Sequence, residues 1–169
     1  MRIVSRLARL GTFCLMTFVA GSGPLLAASQ EGPADSAECK ELTARIVERT
    51  GARFDHFSPT RHTVFFKDPD MVLTCTTHQL TGVSLSWQAS GFPPNAWFAL
   101  AASAGNAVTN VDLKALEAAA RKCHRLALKD KSELADLELP KAKVECQAFT
   151  RDGGAVVLDI WINDKAAQK

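Results

Sequence analysis

Residues 82–88 read Gly-Val-Ser-Leu-Ser-Trp-Gln, and apolar and polar side chains alternate along them. In an extended strand, Val83, Leu85 and Trp87 lie on one face and the two serines on the other. This is the clearest two-residue period in the sequence, and it predicts a β-strand that is buried on one side. Such a strand belongs to a sheet that other elements cover on one face only.

Further segments with strand composition flank this one. They are rich in β-branched and aromatic side chains, and the residues between them, such as Asp68-Pro69-Asp70 and Gly153-Gly154, have turn composition. The last two segments predict a C-terminal hairpin. Together with residues 83–87, the predicted strands are 54–57, 61–67, 71–78, 144–149 and 156–162.

Helical periodicity is found on both sides of this region. One helix is predicted from about Ala37 to Gly51, with Asp35 or Ser36 as its cap, and a later one from about Asp112 to Lys129. Residues 96–102 are apolar on every face, which predicts a short buried helix. The small residues at 103–108 read as a link to the longer helix.

This order of elements predicts an α+β fold. We expect an antiparallel sheet of about five to six strands, with two or three helices packed on one face. No repeat or linker divides the sequence, so we expect one globular domain over residues 29–162. The polar residues 163–169 are predicted to be a flexible C-terminal tail.

The first 28 residues have the features of a cleaved secretory signal peptide. Arg2, Arg6 and Arg9 precede a 12-residue apolar run at 10–21, and small residues suited to cleavage follow near Ala28. The run is shorter than the roughly 20 residues that a membrane span needs. We therefore expect a periplasmic or secreted protein without a stable membrane span after cleavage.

The charge of the mature chain argues against a nucleic-acid partner. The sequence has 20 basic and 18 acidic residues, and loss of the three signal arginines leaves 17 basic residues against 18 acidic ones. Its basic runs, at 121–131 and 141–143, are interleaved with Asp130, Glu133 and Glu138. This interleaving is typical of a solvated surface.

Four cysteines remain in the mature chain, at Cys39, Cys75, Cys123 and Cys146, and none belongs to a C-x-x-C pair. Outside the cytoplasm they are expected to form two disulfides. Three pairings are possible, and spacing does not decide among them. Because Cys39 and Cys123 lie in predicted helices and the other two in predicted strands, we favour Cys39 with Cys123 and Cys75 with Cys146.

No motif in the sequence specifies a catalytic, cofactor or metal site. The four histidines, His56, His62, His78 and His124, lack metal-ligand spacing. His56 and His62 would approach each other if their segments form a hairpin. Asp159 lies between Leu158 and Ile160, so burial would raise its pKa unless it faces outward.

The remaining candidate site is a group of aromatic residues. Phe92, Trp97 and Phe98 lie beside the Pro93-Pro94 turn, and Phe92 and Trp97 are candidate residues of a partner groove. Core positions for Trp97 and Phe98, with only Phe92 exposed, fit the pattern better. We therefore expect a non-enzymatic module of the cell envelope that binds a protein or peptide, at a sheet edge or in this groove. A small secreted hydrolase and a carrier of a metal or small ligand stay open as alternatives. No cofactor is expected.

Overall fold

The computed structural model describes residues 31–76, 80–150 and 153–163. Within these ranges the chain forms one 3-10 turn, three α-helices and seven β-strands. The predicted signal peptide (1–28) and residues 164–169 of the predicted tail lie outside the described residues.

After the 3-10 turn (Pro33–Asp35), the elements are α1 (Ala37–Thr50), β1 (Arg53–Phe57), β2 (Thr63–Lys67), β3 (Met71–Thr74), β4 (Gly82–Trp87), α2 (Asn95–Thr109), α3 (Leu113–Ala127), β5 (Leu134–Leu139), β6 (Ala142–Phe149) and β7 (Ala155–Ile162).

The strands form one antiparallel sheet in the order β1-β2-β3-β4-β7-β6-β5. The predicted α+β class is therefore confirmed, but the predicted five to six strands are too few. In the described part of the chain, the pairing of β4 with β7 joins distant segments, and the other five pairs join consecutive strands. Along this central seam Val83 is opposite Ile160, and Leu85 is opposite Leu158.

The helices cover one face of the sheet, as predicted. The side chains that point to them from the central strands, such as Leu85, Leu158 and Ile160, are at most 2% exposed. α2 contacts β4 and β7, α3 contacts β5 and β6, and α2 also lies against both of the other helices. The core is the layer between the helices and this face of the sheet, because the burial of apolar side chains is concentrated there.

Helices α1 and α3 were predicted within a few residues, because each has a local cap. The Ser36 hydroxyl accepts a hydrogen bond from the Cys39 N–H (3.1 Å), and Gly51 ends α1 in a left-handed conformation. Asp112 accepts from the Ala115 N–H (3.0 Å) at the start of α3. These contacts satisfy backbone groups that a helix end would otherwise leave unpaired.

The predicted link at 103–108 is wrong, because α2 continues through it to Thr109. The small side chains of this segment bring the helix close to the sheet: a Cβ at Gly105 would lie 2.6 Å from Cδ1 of Ile160. Ala101 and Ala104 are fully buried on the same helix. Small residues here mark a close helix-to-sheet contact, not a connection between elements.

The predicted disulfide pairing is also wrong. Cys39 is bonded to Cys75 and Cys123 to Cys146, with Cα–Cα distances of 6.0 and 5.9 Å. Each bond joins a helix to the sheet, because α1 and α3 lie on either side of α2 and each faces the strands beneath it. The pairing thus follows from which helix lies over which strand, and helix-to-helix pairing would have to cross α2.

Candidate functional site

A strand that was not predicted from the sequence, β5, forms one edge of the sheet. It pairs with β6 along all six of its residues, from Leu134 opposite Gln147 to Leu139 opposite Ala142, without a shift of register. Within residues 31–76, 80–150 and 153–163, no strand pairs with its other side. The outward backbone N–H and C=O groups of β5 can therefore pair with another chain.

The opposite edge, β1, is less suited to such pairing. Its register with β2 shifts between Phe54 and His56, and the five-residue strand is exposed along most of its length. A bulge and charged side chains are common means of protecting an edge strand. Of the two edges, β5 is the longer and the more regular.

A line of carboxylates crosses the open face of the sheet beside β5. Asp159 on β7 is directly opposite Glu145 on β6, and Glu145 is directly opposite Asp136 on β5. We call these three residues the acidic row. Like charges directly opposite each other on neighbouring strands are destabilising, so the row is a local conflict within an otherwise regular sheet.

Two neighbours partly compensate the charge of the acidic row. Lys143 Nζ lies 2.6 Å from Glu145 Oε1 and 3.9 Å from Asp136 Oδ2, and these carboxylates raise the pKa of Lys143. The indole Nε1–H of Trp161 donates to Glu145 Oε2 at 2.8 Å. Trp161 thus lies on the open face of the sheet.

The surroundings of Asp159 raise its pKa. Burial raises its pKa, and the nearby Glu145 carboxylate adds to this rise, whereas a hydrogen bond with Ser84 opposes it. Asp159 thus has the outward position that the sequence left open as an alternative, and its pKa is nevertheless raised there. Its direct neighbours across the strands are Ser84 and Glu145, and neither is a histidine that would complete a hydrolytic site.

A shallow concavity of about 520 Å³ lies over this part of the open face. All three residues of the acidic row line it, together with Leu134 and Val157 among others. Leu134 is 54% exposed. The concavity is thus acidic with apolar borders and opens directly onto the edge strand.

The candidate histidines are not brought together as a metal site. His56 is opposite Phe65 and stacks on it with ring centroids 4.5 Å apart, so the expected approach to His62 is replaced by an aromatic pair. His62 Nδ1 bonds to the Thr60 carbonyl at 2.8 Å, and His78 lies outside the described residues. No group of three or more metal-ligating side chains occurs among the residues that the structure describes.

The two residues predicted for a partner groove lie in different environments. Phe92 is 66% exposed and lines a depression of about 240 Å³, whereas Trp97 is 7% exposed and belongs to the core. Trp97 contacts Phe98 edge to face, with ring centroids 5.2 Å apart. We call this depression the aromatic groove; its lining residues are Phe92, Pro93, Phe98, Arg121, His124, Arg125 and Leu128.

Comparison of the chain with protein-family models, curated proteins and solved structures finds no match. None of the helices in the described ranges has the length and apolar character that a membrane crossing requires. Function is therefore inferred from the geometry of the open edge and the acidic row.

Proposed function

We propose that this protein is an exported, non-enzymatic module that binds an extended segment of another protein as an eighth strand alongside β5. The observation that carries the proposal is the outer side of β5, six residues long, in regular register with β6 and unpaired by any strand of the described chain. Strand addition of this kind obtains affinity from backbone hydrogen bonds and specificity from alternate side chains.

A second copy of this chain is a poor occupant of the edge. If two β5 strands paired antiparallel about Asp136, this carboxylate would face its own copy. If they paired about Leu137, Asp136 would face Glu138 on both sides. Both arrangements place like charges directly opposite each other, which is destabilising. These two registers of self-association are therefore disfavoured.

Charge complementarity favours a basic partner. The side chains of β5 that face the open side of the sheet are those of Leu134, Asp136 and Glu138, because they pair with Gln147, Glu145 and Lys143. A strand with lysine or arginine at alternate positions would place cations beside Asp136 and extend the acidic row with opposite charge. Cross-strand pairs of opposite charge contribute about 0.2–1 kcal/mol each.

The other side chains of the added strand would lie over the helix-covered face. There β5 presents Ala135, Leu137 and Leu139, which are half-buried and packed against the core. Apolar residues at the remaining positions of the partner would extend this layer and lose exposed apolar surface. The proposed partner is thus an extended segment in which basic and apolar residues alternate.

The place of action is part of the proposal. The two disulfides support a compartment outside the reducing cytoplasm, either the periplasm or the exterior. Strand addition also needs no cofactor. The module would hold a partner segment that is unpaired until it reaches this edge.

The direct test is binding of short peptides to the disulfide-bonded protein, measured by titration calorimetry at low ionic strength. The probe is an eight-residue, end-capped peptide in which lysine and valine alternate. One control peptide has glutamate in place of lysine. Two others carry N-methyl groups on the even or the odd residues, because N-methylation removes the backbone donors of one edge.

We expect the lysine peptide to bind and the glutamate peptide not to bind. One N-methylated peptide should lose binding and the other should keep it, since one edge of the added strand faces β5. Asp136→Lys should abolish binding, whereas Asp70→Lys, an exposed change of the same charge in the β2–β3 turn, should not. Equal binding of both N-methylated peptides would exclude strand addition, and binding of the glutamate peptide would exclude the charge preference.

A further inference from the structure

We infer that the aromatic groove is a second, separate site, which binds a small, free arylcarboxylate anion. Its lining shares no residue with β5 or with the acidic row. The inference depends on its apolar walls, its positive charge and one buried nitrogen without a partner.

The walls of the groove are aromatic rings. Phe92 is exposed to solvent and lies against Gly154, where an added Cβ would be 2.6 Å from Cδ1 of the Phe92 ring. Phe98 forms part of the opposite wall, and His124 contacts both rings, with centroids 6.0 Å from Phe92 and 5.7 Å from Phe98. An aromatic ring between these walls would have edge-to-face partners.

The charged residues of the groove are cationic. Arg125 forms no hydrogen bond or ion pair among the residues that the structure describes, and it is exposed. Arg121 lies over the Phe98 ring at 4.7 Å, where its contacts with Glu117 and Asn95 hold it in place. The lining includes no carboxylate. An anion with an apolar body complements this arrangement in charge and in shape.

The first turn of α2 adds to the positive potential. Pro93 and Phe98 line the groove on either side of this turn, and its cap residue, Pro94, provides no side-chain hydrogen bond to the helix N–H groups. Uncapped N–H groups and the helix dipole favour negative charge at such a position. The start of α2 therefore adds to the preference for an anionic ligand that the arginines create.

His124 is a further feature of the groove that points to a ligand. Its side chain is 5% exposed, and its Nε2 is buried without a hydrogen-bond partner. Burial lowers the pKa of His124, against the effect of a hydrogen bond to the Gly154 backbone. A buried polar atom without a partner is costly and rare in folded proteins. Because Nε2 has no partner, the bond to the Gly154 backbone uses Nδ1–H, and Nε2 of the neutral ring carries no proton. Binding of a carboxylate would therefore be accompanied by uptake of one proton, so that Nε2–H donates to the ligand oxygen while Nδ1–H keeps its bond to Gly154.

The size of the groove limits the ligand. Its volume of about 240 Å³ is smaller than the roughly 300–1,000 Å³ of sites for drug-sized molecules. One aromatic ring with a short acidic substituent fits this volume. We therefore assign the groove to a free arylcarboxylate and not to the C-terminus of a polypeptide.

The test uses phenylacetate as the probe and the imidazole proton resonances of His124 as the reporter, in the disulfide-bonded protein. Phenylacetamide, which has nearly the same shape without the charge, is the control ligand. The variants are Arg125→Gln and Phe92→Ala. Lys122→Gln is the matched control, because Lys122 is exposed on the same helix but does not line the groove.

We expect saturable shifts of the His124 resonances with phenylacetate, an affinity about tenfold weaker in Arg125→Gln and in Phe92→Ala, and no change in Lys122→Gln. Phenylacetamide should bind at least tenfold more weakly than phenylacetate. Absence of shifts at millimolar phenylacetate would overturn the inference. Equal binding of phenylacetamide would do so too, as would tighter binding of a phenylalanine-terminated tripeptide. None of these results depends on peptide binding at β5.

Discussion

The indole ring of Trp161 lies directly over Gly82 across the seam between β4 and β7. A Cβ at position 82 would approach this ring and come within 2.8 Å of the backbone oxygen of Ile160. The glycine therefore provides the space in which Trp161 can lie flat and donate its Nε1–H to Glu145. The packing of Trp161 on Gly82 thus determines where the indole N–H meets the acidic row.

Gly82→Ala is expected to lower the free energy of unfolding by about 1–3 kcal/mol, the usual cost of overpacking. Urea denaturation followed by tryptophan fluorescence measures this change. Ser86→Ala is the control, since it is an exposed change on the same face of the same strand and should remain within about 0.5 kcal/mol of the unsubstituted protein. A neutral Gly82→Ala would show that Trp161 does not need this space.

Gly105 and Ile160 are expected to be energetically coupled. Gly105→Ala improves helix propensity by roughly 1 kcal/mol, but its Cβ would crowd the Ile160 side chain. The substitution should therefore destabilise the protein, and it should become neutral or stabilising in an Ile160→Ala background. A double-mutant cycle by urea denaturation measures the coupling, expected at about 1–2 kcal/mol. Additive effects would contradict close packing of α2 on β7.

Asp159 is expected to make stability depend on pH. Because its pKa in the folded protein is raised above the ordinary value of 3.8, its ionisation opposes folding. This penalty is absent below the unfolded-state pKa and develops as pH rises through the folded-state pKa. Asp159→Asn should therefore gain stability relative to the unsubstituted protein as pH rises from 3 to 7.

At pH 7 the gain from Asp159→Asn should be roughly 0.5 kcal/mol, the scale of a cross-strand pair of like charge. Unfolding midpoints at several pH values measure this difference. Asp70→Asn, at an exposed turn, should show no such trend. A loss of stability at neutral pH would mean that the hydrogen bond with Ser84 outweighs burial and the repulsion from Glu145.

The disulfide pairing has a direct chemical test. Peptide mapping without reduction should recover Cys39 linked to Cys75 and Cys123 linked to Cys146, which are separated by 36 and 23 residues. In the chain-entropy model, loops of these lengths stabilise by about 3–4 kcal/mol each. Replacing both cysteines of one pair by alanine should cost about this much in urea denaturation. Recovery of Cys39 linked to Cys123 would contradict the arrangement of helices over the sheet.

Elements with local signals were predicted from the sequence, whereas features that depend on long-range contacts were not. α1 and α3 have caps and an apolar face within their own residues. The continuation of α2 was not predicted, because the small residues around Gly105 are explained only by the proximity of Ile160. The cysteine pairing depends in the same way on which helix covers which strand.

The candidate site was even less accessible to prediction. β5 does show a two-residue period, with Ala135, Leu137 and Leu139 alternating with polar side chains, but its acids appeared to belong to a solvated charged segment. The acidic row has no sequence motif, because its members come from three strands and meet only through the register of β5, β6 and β7. Phe92 was among the predicted groove residues, but the arginines that give the aromatic groove its positive charge lie on α3 and were not predicted.

The sheet order also has a consequence for the course of folding. β1–β4 and β5–β7 are each a series of hairpins, which can form with short loop closures, and among the described strands the pairing of β4 with β7 is the one that joins the two series. Closing that long loop is the step with the largest entropic cost. The rate of folding is therefore expected to depend on the encounter of two preformed halves. Until they meet, the apolar residues of both inner strands remain exposed to any other unfolded chain.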